Sequence, residues 1–366
     1  MIAIGCGLAI GAFALGVTMG DGKDAAPTLG AVEATASGLK ASQLAGERIV
    51  TGFSGPTIPH AVRRMIREGD VAGVILFSYN GNLPSRAAGR RLIASLQSIP
   101  RPRGLRDPLL VMIDQEGGLV KRIGGAPSAS AEVMGEQGAA FSREQGRLTA
   151  RNLRDIGVNV DLAPVLDVAR PGGDIADTHR GFGSTAAQVS RTAVPFAEGL
   201  HSDGVAATGK GFPGFGAATG NTDDSPQTIR LSKATLRRVD EAPYPHFFEA
   251  GGEMVMLSTV IYPAFSSRPA AFSRAVATRE LRSRLGFDGV SITDALETGA
   301  VREFGPPDVA GLAAARAGAD LLLYTSPDGA RAAHRALTRG LASHSLARAE
   351  FEQSATRVLR LRHALR

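Results

Sequence analysis

Tryptophan is absent from this 366-residue chain, and aromatic residues make up only 5% of it. A long polysaccharide cleft usually stacks successive rings on aromatic faces, so this scarcity points towards a small ligand held by charged and polar groups, if the ligand is a sugar at all. Cysteine occurs once, as Cys6, which leaves no disulfide framework and no cysteine-based metal site. The seven histidines are scattered without H-E-x-x-H or comparable spacing, so neither a metal nor another cofactor is expected. Lysine is scarce as well. The formal charge of +6 comes overwhelmingly from arginine, with acidic residues interspersed throughout. No basic stripe with interleaved aromatics appears, and a nucleic-acid partner is not expected.

What is present reads as one globular domain behind a separate N-terminus. Ile2 to Met19 is uncharged and apolar, about long enough to span a bilayer. Residues 1–19 are therefore read as an export signal or membrane anchor, placing the protein outside the cell or in its envelope. Residues 20–42 are rich in Ala, Gly, Ser and Thr and read as a linker. From residue 43 to 366, eight apolar runs alternate with amphipathic segments: "RIVTGF", "AGVILF", "LLVMID", "VNVDLAPV", "VAATGK", "MVMLST", "GVSITD" and "ADLLLY". Near-continuous apolar strands separated by helices mark a parallel sheet with both faces covered. Eight in one series predict an α/β fold of the (β/α)8 TIM-barrel type, a single domain expected to be a monomer.

The stretch "GKGFPGFG", Gly209 to Gly216, spells the G-x-G-x-x-G dinucleotide fingerprint. In a dinucleotide fold that motif follows the first strand and opens a helix. Here it follows the fifth run and leads into "AATGNTDDSP", which has turn chemistry. Pro213 also removes an N–H where a phosphate cradle needs one. The stretch is instead a loop at the C-terminal face of a barrel, where such folds carry their active sites.

Several runs end in ionisable residues: Asp114, Lys210 and Asp294. Arg122 follows Asp114 closely, and Asp223 and Asp224 lie further along the Lys210 loop. A single Asp after a strand is often a helix cap, and Asp294 is placed to cap a helix starting near Ala295. Two carboxylates with cationic neighbours are also the minimum apparatus for glycoside cleavage with retention.

Five segments resemble glycoside hydrolase family 3, in its barrel-only, β-N-acetylglucosaminidase-like branch. "VMIDQEGGLVKRI" is similar to D-Q-E-G-G-R-V-x-R, and "KGFPGFG" to K-H-F-P-G-H-G. "LRSRLGFDGVSITDALE" is similar to the segment holding the nucleophile; "VNVDLAPVLDV" and the "GFG" after Arg180 also match. The resemblance implies Asp294 as nucleophile, with Asp114, Arg122, Arg180 and Lys210 binding the sugar. Neighbouring cations are expected to keep Asp294 ionised at neutral pH. It implies a retaining hydrolase acting on a small carbohydrate, a terminal β-linked N-acetylhexosamine such as one derived from peptidoglycan.

The chain departs from that pattern where the acid should be. Gly211 and Phe215 replace two histidines, and Asn221-Thr222-Asp223 stands where the branch has D-[ST]-H. Asp223 therefore either supplies the missing acid or shapes a turn with Asp224 before Pro226. If nothing supplies the acid, the alternative is a non-catalytic sugar-binding barrel.

Overall fold

The computed structural model describes residues 29–366. Each of the eight apolar runs contains a strand. They are β1 (Ile49–Thr51), β2 (Gly73–Ile75), β3 (Leu110–Ile113), β4 (Val160–Asp161), β5 (Ala206–Phe212), β6 (Met254–Leu257), β7 (Val290–Thr293) and β8 (Leu322–Tyr324). From β1 to β7 each strand pairs in parallel with the next, and β1 also pairs with β8, Ile49 opposite Leu322. A bridge between Ile292 and Leu321 closes the ring between β7 and β8, where Thr293 N–H donates to Leu321 O at 3.0 Å. The chain builds the expected (β/α)8 barrel.

Side-chain alternation along each strand creates two cores. In β3, Leu110 and Met112 point into the barrel, while Val111 and Ile113 pack under the helices. Leu323 in β8 likewise points inward and Leu322 outward, the period-2 pattern of a closed sheet. Hydroxyls of Ser85, Thr185 and Ser326 cap the helices Arg86–Gln97, Ala186–Ser202 and Pro327–Ala342, each accepting an N–H of the first turn. The C-terminal helix, Arg348–Ala364, sends Val358 and Leu361 into the inner core. Its buried Arg362 pairs with Glu47, ahead of β1, and donates to Leu105 O and Asp107 O ahead of β3. That helix plugs the N-terminal end of the barrel, and the C-terminal end is left for a ligand.

The linker expected over 20–42 needs correction from Leu29 onward. Leu29–Ser37 is a helix against the C-terminal helix, and Val32, Ala36 and Leu39 are buried. Arg348 Nη2 donates to Ser37 O at 3.0 Å and Leu39 O at 2.8 Å. The buried positions repeat at helical spacing, but in a composition of small residues that carries little apolar signal. Removing three buried apolar side chains should cost about 3 kcal/mol. A chain beginning at Lys40 is therefore expected to melt several degrees below one beginning at Leu29; equal melting temperatures would show that this helix adds nothing. The segment read as signal or anchor, residues 1–19, lies outside the described residues. Among the described residues no helix is long and apolar enough to cross a membrane.

Candidate active site

A cavity of about 500 Å³ opens at the C-terminal ends of the strands. Asp114, Arg122, Arg180, Lys210, Asp223 and Asp294 all line it, so the fold brings the six candidate residues together. A broader groove of about 690 Å³ lies on the outer helices, and none of the six borders it.

At one side of the cavity, cations and carboxylates neutralise each other. Lys210 Nζ, on β5, donates to Asp114 Oδ1 at 2.8 Å and to Glu116 Oε1 at 2.7 Å. Arg180 grips Glu116 with two parallel bonds, Nε to Oε2 at 2.8 Å and Nη2 to Oε1 at 2.9 Å. Arg122 Nη2 reaches Asp114 Oδ2 at 3.2 Å, and its guanidinium lies 5.3 Å from the ring centre of Tyr79. Burial disfavours the charged form of each carboxyl, but the cations prevail. Arg180 and Lys210 pull Glu116 down to about 2, and Lys210 with Arg122 holds Asp114 below its ordinary value. Lys210 is in turn held above its ordinary value, against the effect of burial, by Asp114 and Glu116. A buried cluster of this kind is costly to desolvate, and its mutual contacts fix five charged side chains along one wall of the cavity.

Glu116 is the member that the sequence reading missed. It lies two residues from Asp114 in extended chain, and such neighbours share a face, a signal present in "DQE". The strand segment Gln115–Gly117 leaves the barrel and pairs with Val120–Lys121, which brings Arg122 back beside Asp114. Gln115 fastens this excursion: its Oε1 accepts Arg122 N–H at 2.9 Å and its Nε2 donates to Ala126 O at 2.9 Å. Asp161, at the end of β4, accepts Gln115 N–H at 2.9 Å, and burial lifts its carboxyl to about 8.

Asp294 follows β7 directly. The helix cap considered for it does not form, because the next helix starts at Gly299. Its Oδ1 instead accepts the N–H of the adjoining Ala295 at 2.7 Å. Burial, then repulsion from Asp223, raises its carboxyl to about 6, outweighing the pull of Lys210. The pull of Lys210, which Asp114 and Glu116 also engage, does not offset burial, yet Asp294 is still mostly ionised at pH 7.

The Asp223 loop is pinned over the cavity. Gly299 N–H donates to Asp223 O at 2.9 Å, and Ala300 N–H to Thr222 O at 3.0 Å. A Cβ on Gly299 would lie 2.0 Å from Asp224 O, so only glycine permits this approach. The turn itself is built by Asn221, whose Oδ1 accepts Asp223 N–H at 2.9 Å. The Asp223 carboxyl makes no hydrogen bond or ion pair among the described residues. Burial, then the charges of Asp114 and Asp224, raises its pKa.

The stretch Gly209–Gly216 now has a physical account. A Cβ on Gly209, Gly214 or Gly216 would come within 2.7, 2.4 and 2.0 Å of Leu166, Asp240 and Val168, respectively. These glycines serve close packing of the loop on its neighbours. Asp167 holds the loop from below, its Oδ1 accepting Phe215 N–H at 2.6 Å and Gly211 N–H at 3.3 Å.

Comparison with known proteins places the chain among relatives. Residues 36–361 match the glycosyl hydrolase family 3 N-terminal domain. The chain is 35% identical, over 345 residues, to an uncharacterized secreted glycosyl hydrolase of Arthroderma benhamiae, covering 92% of this chain and 97% of that protein. It is 34% identical over 276 residues to a beta-hexosaminidase of Methylococcus capsulatus, covering 74% of this chain and 80% of the other. Among solved structures, a family 3 beta-N-acetylglucosaminidase from Paenibacillus superposes with a TM-score of 0.84 at 33% identity over 89% of this chain. The present chain spans 63% of that enzyme's length. A beta-N-acetylhexosaminidase from Beutenbergia cavernae superposes with a TM-score of 0.79 at 29% identity, covering 88% of this chain and 98% of that one.

Proposed function

The chain belongs to glycosyl hydrolase family 3 and is a glycoside hydrolase, and from that premise we propose that it removes a terminal β-linked N-acetylhexosamine with retention. The observation that carries this reading is the pairing in one cavity of Asp294 with an unbonded Asp223 carboxyl, beside the Lys210–Asp114–Glu116 cluster. The cluster binds the ring hydroxyls. The Asp294 carboxylate attacks the anomeric carbon while Asp223 gives its proton to the departing glycosidic oxygen. Asp223, now a carboxylate, then takes a proton from the water that attacks the anomeric carbon and frees Asp294. The sugar source that the resemblance suggests is peptidoglycan fragments. The apolar N-terminal run and the secreted relative support action outside the cell, and a site built within one chain suits a monomer.

Hydrolysis of an aryl N-acetyl-β-glucosaminide, with the product's anomeric form followed by NMR, tests this reading. Sustained release of the β-anomer is expected. Tight binding without turnover would assign the protein to the non-catalytic, sugar-binding alternative.

The pH profile is a further prediction. Asp294 works as its carboxylate and titrates near 6, so kcat/KM should fall about tenfold per pH unit below that value. Asp223 works protonated in the first step, and its raised pKa moves the alkaline limb toward neutral pH. A rate that stays flat from pH 7 down to pH 4 would remove Asp294 from the nucleophile's role.

A further inference from the structure

The glycine at position 211 has no steric reason to be one. A Cβ there would meet only Asp167 Oδ2 and Phe215 Cβ, both at 3.7 Å, which is ordinary contact. Its backbone is not in the left-handed region that favours glycine. Of the other three glycines of Gly209–Gly216, Gly214 and Gly216 are forced by close packing and Gly209 is crowded by Leu166. Gly211 alone among them lines the cavity, and the hollow in the wall at this position has room for at least a Cβ in ordinary contact.

The hollow has two kinds of lining. Phe215 supplies an apolar side and Asp167 a carboxyl, and both border the cavity. Asp167 is only 2% exposed, and its Oδ1 is occupied by the N–H groups of Phe215 and Gly211. Its Oδ2 has no hydrogen-bond partner among the described residues. Burial lifts this carboxyl to about 7 against those two backbone donors, so near neutral pH much of it carries a proton to donate.

We infer that the hollow between Gly211, Asp167 and Phe215 is a subsite for a neutral O-acyl group on a hydroxyl of the bound sugar ring. The acyl methyl packs on Phe215, and its carbonyl oxygen accepts a hydrogen bond from Asp167 Oδ2. An anionic substituent is disfavoured, because the Asp167 carboxyl loses its proton in the same pH range and repels it. The subsite extends the substrate class to esterified hexosamines, and it rests on the hexosamine reading above.

Binding tests it without requiring turnover. N-acetylglucosamine and its 3-O-, 4-O- and 6-O-acetyl derivatives are titrated calorimetrically into the full chain and into Gly211→Val and Gly211→Ala. At least one derivative is expected to bind within about tenfold of the parent sugar, and Gly211→Val should lower that derivative's affinity, relative to the parent sugar, by about tenfold. Gly211→Ala, which introduces only ordinary contacts, should shift the ratio the same way by a smaller factor and covers a failure of the valine variant to fold. Binding of all three derivatives more than about tenfold below the parent sugar overturns the subsite, as does a ratio that neither variant lowers. Aryl glycoside hydrolysis, run in parallel, reports separately on the hydrolase reading. Binding of neither the parent sugar nor any derivative would overturn the substrate class together with the subsite.

Discussion

Replacing Asp294 with Asn is expected to lower kcat on the order of 10^4-fold or more, the scale of losing a covalent nucleophile. The amide keeps the shape of the carboxyl, and its oxygen can still accept the Ala295 N–H that Asp294 Oδ1 accepts at 2.7 Å. It cannot supply the negative charge that forms the bond to the anomeric carbon. Stability should move the other way. A folded-state pKa raised from 3.8 to about 6 means that the ionised side chain is less comfortable in the fold than in the unfolded chain. This cost is absent at low pH, where the carboxyl is protonated in both states, and is fully present above about 6. At neutral pH the Asn variant removes it, together with the repulsion from Asp223. The variant should therefore melt at or above the parent temperature, and a fluorinated glycoside should label Asp294 in the parent only. Near-normal turnover would leave Asp294 with no more than its bond to Ala295.

The barrel was legible because its evidence is local. Each strand buries both faces, so "LLVMI" or "ADLLLY" reads as strand whatever surrounds it, and eight in series leave little choice of topology. The positions of the six candidate residues were legible for a related reason, since strand ends and the loops after them share one face of the barrel. Pairing among those residues was not. The cations expected to stabilise Asp294 are held by Asp114 and by Glu116, from which Arg180 is inseparable at two bonds. A sequence lists charges without saying which partner claims each or how deeply each is buried, and so the upward shift of Asp294, which still leaves it mostly ionised at neutral pH, was not legible. Asp167 stayed hidden too, because its role depends on donors some 45 positions away in the Gly209–Gly216 loop. The helix Leu29–Ser37 went unread because small residues bury well against a neighbour while contributing little to an apolar pattern.

Asp223→Ala is expected to separate substrates by their leaving groups. If Asp223 protonates the departing oxygen, its loss should slow cleavage of a disaccharide about 10^2- to 10^4-fold, the usual worth of a general acid. A nitrophenolate leaves without much help, so formation of the glycosyl-enzyme from an activated aryl glycoside should be largely spared. The second step, however, needs the Asp223 carboxylate as base and should slow for both substrates. The aryl glycoside should therefore show a rapid burst of phenol followed by slow turnover, with sugar accumulating on Asp294. Two structural facts favour this outcome over a turn-forming role for Asp223. Asn221 supplies the side-chain bond that builds the turn, and the backbone of residues 222 and 223 is already tied to Gly299 and Ala300. Losing the Asp223 carboxyl removes no hydrogen bond from that arrangement, so the loop and the melting temperature should hold. Equal rate losses for good and poor leaving groups, with no burst, would take Asp223 out of the mechanism. The cavity would then keep its sugar-binding cluster but no acid, which is the arrangement of a binding protein built on a hydrolase fold.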